Sequence, residues 1–148
     1  MSVSRFRPAS DGRAMDLDYR NKKASTVIVP NTLLTLDSSG QLIPAVAASL
    51  FTVGVAVQGV TASDPNYAAV EEIQFDSAKD GDEFIMDVND ASTAGFVAGV
   101  ERALVNAGQI KAAAPSSGEG RLVRIVKVLT GTNQAIVQLI TNADSQNT

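Results

Sequence analysis

At 148 residues and 15.4 kDa, with 45% apolar residues, the chain has the size and composition of one globular domain. It contains no His, Cys or Trp, which excludes His-based triads, thiol nucleophiles, zinc sites, Cys-ligated clusters and disulfides. The net charge of −4 is unevenly divided: residues 1–23 hold six basic groups against three acidic ones, and the remainder holds six basic and thirteen acidic groups.

Residues 1–24 read as an extended, polar, basic arm without apolar periodicity. Fixing its backbone costs roughly 1–2 kcal/mol per residue, more than Val3, Phe6, Met15, Leu17 and Tyr19 can return. Such an arm is expected to take its shape against another surface. Its mixture of guanidinium groups and rings makes Arg5, Phe6, Arg7, Arg13, Tyr19, Arg20, Lys22 and Lys23 the candidate interface residues. Arg5, Arg7, Arg13 and Arg20 interrupt any signal-peptide core, and no apolar run reaches membrane-spanning length, so a soluble, non-secreted chain is expected.

From residue 25 the pattern is β. Thr26 to Val29 is a β-branched run closed by Pro30-Asn31. Leu33–Leu36, an Asp37-Ser38-Ser39-Gly40 turn and Leu42–Val46 predict a hairpin. Phe51 to Thr61 is the clearest strand, with Val53, Val55 and Val57 on one face and Gly54, Ala56 and Gln58 on the other. The Gly/Ala face predicts close approach by another backbone. Glu71–Phe75 and Glu83–Val88 flank Asp80-Gly81 and predict a second hairpin. Asn89 to Thr93 reads as a turn or a single helical turn capped by Asp90.

Phe96, Val97, Val100, Leu104 and Val105 fit a helical stripe. The glycines at 95, 99 and 108 and the β surroundings favour instead a loop, a strand from about Glu101 to Val105, a turn, and a strand from Gln109 to Ala112. A loop over 113–120 precedes a hairpin of Leu122–Leu129 and Gln134–Thr141. The expected organisation is an arm (1–24), a β-domain (25–142) and a polar tail (143–148). The expected fold class is all-β, a small barrel or sandwich of short antiparallel strands.

The carboxylates from Asp64 to Asp90 include an EF-hand-like spacing at Asp76, Asp80, Gly81, Asp82 and Asp87. Position three is Ala78, position twelve is Asp, and no helices flank the loop, so a solvated acidic hairpin is the favoured reading and no metal or cofactor is expected. A glycosidase carboxylate pair lacks aromatic platforms. Gly95-Phe96-Val97-Ala98-Gly99 lacks the Lys-Ser/Thr ending of a phosphate loop. No enzyme activity is expected, and no catalytic residue is assigned.

Thr35 to Val46, Val53 to Ala62, and Arg124-Ile-Val-Lys-Val-Leu followed by a turn and Ala135-Ile-Val-Gln-Leu-Ile resemble the capsid decoration (cement) proteins of tailed-phage heads. The resemblance covers residues 25–141 in rhythm and marks no catalytic residue. It implies a compact β-domain, usually a homotrimer, on the capsid exterior, with the major capsid protein and further copies of itself as partners. Neither a membrane nor direct contact with nucleic acid is expected. A tail-tube or head-completion component is the alternative within virions, and an all-β trimeric enzyme acting on nucleotides or sugars is the alternative outside them.

Overall fold

The computed structural model describes residues 16–77, 79 and 81–141 in full, and residues 7–8 through their backbone. The chain is all-β. Its strands are β1 (Arg7–Pro8), β2 (Leu17–Lys22), β3 (Leu33–Leu36), β4 (Leu42–Pro44), β5 (Gly54–Ala56), β6 (Glu71–Ser77), β7 (Glu83–Val88), β8 (Glu101–Arg102), β9 (Leu104–Asn106), β10 (Gln109–Ile110), β11 (Val123–Leu129) and β12 (Gln134–Leu139). They form two sheets. One is a closed barrel in the order β2-β4-β3-β5-β6; the other runs β8-β11-β12-β7-β10-β9, with β1 added against β7.

Two predicted hairpins form. β3 and β4 pair antiparallel with Leu34 opposite Pro44 and Leu36 opposite Leu42. Their turn is held by Asp37 Oδ1, which accepts from the amides of Ser39 and Gln41, with Gly40 at a φ of 79°. β11 and β12 pair from Val123↔Leu139 to Leu129↔Gln134, with a bulge between Ile125 and Lys127. The 94–107 stretch resolves as loop and strand. Asp90 accepts from the Ser92 amide as an Asx turn requires.

The barrel begins at residue 17, inside the expected arm. Leu17 to Lys22 pair in unbroken antiparallel register with Asp76 to Glu71, and Lys22 meets Leu42 on the other side. Backbone pairing needs no apolar side chains, and β2 is exposed at its first five positions, so no hydrophobic alternation announces it. The second correction concerns β6 and β7, which do not pair. Gly81, at φ 88°, donates its amide to Leu139 O, and the Leu139 amide donates to Asp82 O, so the Asp-Gly turn hands the chain from one sheet to the other.

β3 and β5 form the wall between two cores. Leu34 and Ala56 face the barrel interior with Ile28, Leu42, Val60, Ile73 and Phe75. Leu33 and Val55 face the larger core with Phe84, Met86, Leu104, Ile110, Val123 and Val137. The predicted alternation thus holds over Gly54–Ala56, whose two faces are both buried; Val53 packs on the barrel cluster with Ala56 rather than with Val55, and Gln58 is exposed. Gly54 lets the strands close: a Cβ there would lie 2.1 Å from Asp76 O and 2.8 Å from a Phe75 ring carbon. The expected strand is shorter than predicted, with Ile28 and Val60 forming an isolated bridge beyond it.

Candidate interaction surface

Of the predicted interface residues, Arg5, Phe6 and Arg13 lie outside the described residues, and Arg7 is placed by its backbone in β1. Tyr19 is exposed, its hydroxyl accepting from Gln74 Nε2 at 2.9 Å, and Arg20 and Lys23 are also exposed. Lys22 departs from the expectation. It is fully buried, and its ammonium donates to the carbonyls of Ala69 at 2.7 Å, Tyr67 at 2.9 Å and Lys23 at 3.3 Å. An ammonium has three donors and all are used, so Lys22 fastens the 67–69 segment to the barrel and is withheld from any partner.

β1 shows where the start of the chain runs. Arg7 pairs with Ile85 and Pro8 with Phe84, antiparallel, while β10 occupies the same edge of β7 at Asp87 and Val88. Residues 7–8 therefore fill a stretch of edge that β10 leaves open. The amide of Asp16 donates to Asp76 Oδ1, and Asp16 O accepts from Ser77, so the chain also follows the end of β6.

The acidic spacing does not assemble into a metal cage. Asp76 is buried in β6, Asp87 sits in the other sheet accepting from Gln134 Nε2, and Asp80 lies outside the described residues. Among the described residues no three His, Cys, Asp or Glu side chains converge as metal ligands.

A different surface gathers guanidinium groups and apolar side chains. β8 pairs with the start of β11, placing Arg102 opposite Val123 and Glu101 opposite Arg124. Alternation sends Arg102 inward, where it is buried and donates to Ala112 O from Nε, to Glu101 O from Nη1 and to Gly95 O from Nη2. Glu101 faces out, accepting from Arg124 Nη2 at 2.8 Å. Burial first, and then the like charge of Arg121, push the Arg102 guanidinium below its ordinary value.

The loop before β11 is tied at both ends. Lys111 Nζ lies 3.0 and 3.1 Å from the two Glu119 oxygens, and Glu119 Oε1 accepts from the Ser116 amide at 2.7 Å. That amide and Lys111 hold the Glu119 carboxyl below its usual range. The Gly120 amide donates to Ala47 O, and a Cβ on Gly120 would fall 1.8 Å from Ser49 O, so only glycine lets this loop lie on the 45–51 segment.

Two clefts open on this seam. One, of about 330 Å³, is lined by Leu50, the 115–119 loop and Arg121; the other, of about 370 Å³, by Gly99 to Arg102, Ala114, Pro115 and Arg121. Arg121 and Pro115 are shared by both. Among the described residues no carboxylate pairs with Arg121. Val46, Leu50 and Phe51 stand exposed on the 46–51 segment. Arg121 stands beside Leu50 in the first cleft, and arginine is enriched at interaction surfaces.

This surface is a set of residues that motif reading passed over. Its signal was available in the charge order: residues 24–100 contain ten acidic groups and only Lys79, whereas residues 101–148 contain five basic and three acidic groups. Compared with known protein families and with curated proteins, the sequence matches none.

Proposed function

We propose that this chain is a structural virion protein, a capsid decoration (cement) protein that binds the outer surface of a phage head and stabilises the shell against the pressure of packed DNA. The observation that carries the reading is the path of the N-terminal segment, which leaves the barrel wall at Leu17 and lies as a strand on the β7 edge at residues 7–8. A segment that adds to an edge through its backbone can add equally to an edge of a neighbouring capsid subunit. With Lys22 buried, residues 1–23 still hold five basic groups against three acidic ones, which favours such docking onto an acidic surface. Several subunits joined in a ring, three in this reading, would raise the effective concentration of each arm at the shell.

The test is a deletion of residues 1–16, which spares β2 and hence the barrel. The truncated protein is expected to unfold cooperatively on heating and to lose co-sedimentation with the heads of the phage that encodes it. Full occupancy of heads by the truncated protein would remove the arm from the proposal. Turnover of nucleotides or glycans by the purified chain would replace the structural reading with an enzymatic one.

A further inference from the structure

Residues 68–72, Ala-Ala-Val-Glu-Glu, are five consecutive exposed residues at the entry to β6. Val70 is 48% exposed and immediately precedes β6, in which Glu72 is also exposed. Asn21 lies opposite Glu72 and Tyr19 opposite Gln74, so exposed Tyr19 extends the same face. This segment is held in place, because the buried Lys22 ammonium grips the carbonyls of Tyr67, immediately before it, and of Ala69, within it. A projection already fixed loses little conformational freedom on docking.

The opposite chemistry stands on the other sheet. The clefts around Arg121 present an apolar wall at Leu50; Glu119 lines the first but is met by Lys111, and Glu101 lines the second beside Arg102, so among the described residues Arg121 supplies the excess of positive charge. One apolar side chain beside a carboxylate is what an apolar wall would take beside a guanidinium that has no carboxylate partner among the described residues, in bidentate geometry.

We propose that copies of this chain associate head to tail, the Val70–Glu72 projection of one copy seating in the Leu50–Arg121 cleft of the next. The two surfaces differ, so the contact is heterologous and closes only as a ring. This inference rests on the assembly reading above and supplies its subunit contact. Carboxylate and guanidinium meet at the rim of the contact, so association depends on ionic strength.

The experiment measures the mass of the full-length chain in solution by sedimentation equilibrium, at low salt and at high salt. The wild type is expected to form a closed oligomer at low salt that dissociates at high salt. Arg121→Glu and Glu72→Arg, both at exposed positions, are each expected to weaken association about tenfold or more. The double variant carrying both reversals restores the pair with its signs exchanged and is expected to recover the oligomer. A wild type that is monomeric at every concentration and salt would overturn the proposal. Unchanged mass in both single variants, or no recovery in the double, would do the same. So would loss of association on deleting residues 1–16 with Arg121→Glu unaffected, because the acidic projection would then be holding the basic arm. Head binding is scored separately: an oligomer that ignores heads defeats the decoration reading alone, and a monomer that coats them defeats this contact alone.

Discussion

The barrel and the open sheet solve the same problem at different scales. Each buries one cation that donates to three main-chain carbonyls: Lys22 to Lys23, Tyr67 and Ala69, and Arg102 to Gly95, Glu101 and Ala112. The barrel encloses a small apolar cluster led by Leu34, Ile73 and Phe75, and the long Lys22 side chain lies buried alongside it. The sheet has a larger core, and Arg102 stitches three of its segments at the margin, beside a cleft. A short closed barrel has little interior to spend, so an amphipathic side chain with an aliphatic stem takes the place of a hydrophobe and satisfies carbonyls that would otherwise be stranded.

The largest expected effect tests the closure of the barrel. Gly54→Ala should destabilise the protein by about 3 kcal/mol or more, because backbone rather than a pliable side chain blocks the new methyl group. Urea denaturation measures it, and an unchanged midpoint would mean that β5 and β6 have room to separate. Next comes the pair of cations. Lys22→Met keeps the stem but removes the fully buried ammonium that serves the part-buried carbonyls of Lys23, Tyr67 and Ala69, at a cost of about 3 kcal/mol. Arg102→Met should cost about 1–2 kcal/mol, since water entering the neighbouring cleft can serve some of the freed carbonyls. A greater loss for Arg102 than for Lys22 would reverse this ranking of enclosure.

Acid should separate the two regions further. Glu119 ionises more readily in the folded protein than in the unfolded chain, so its contribution is complete above the ordinary carboxylate range and disappears as pH falls through its lowered value. Hydrogen exchange at the amides of Ser116 and Gly120 should therefore quicken in acid before that of the β3 amides. Simultaneous loss of protection everywhere would show that the loop does not open on its own. The smallest effect concerns Thr52, whose buried hydroxyl has no hydrogen-bond partner among the described residues. Thr52→Val should raise stability by up to about 1 kcal/mol in thermal melts, with the hydrogen bond from the residue 52 amide to Thr141 O intact.

What was legible in the sequence was local. The β3–β4 and β11–β12 hairpins could be read because each pairs with its chain neighbour and carries its turn between the strands. β2 was hidden because its partner β6 lies far along the chain, from Lys22↔Glu71 to Leu17↔Asp76, and because it shows an exposed, charged sequence to its surroundings. The Asp-Gly turn was real, but its amide is answered by β12, a partner that no local signal names. The basic residues at 102, 121 and 124 lie on strand and loop positions that carry no motif, and only the pairing of β8 with β11, together with the Gly120 crossing, draws them together. Lys22, grouped by composition with the surface cations, was legible as a charge and illegible as a buried one.

The wall made by β3 and β5 limits how this molecule can be taken apart. Leu33 and Leu34, or Val55 and Ala56, answer to opposite interiors from adjacent positions. Cutting the chain between residues 77 and 83 would yield no pair of interchangeable modules, because the C-terminal piece would lose one side of its lining and the N-terminal piece would expose Leu33 and Val55 to water. Inheritance of this fold by recombination would have to carry both sheets at once, and a fused label is better tolerated at an end of the chain than at the crossing between them.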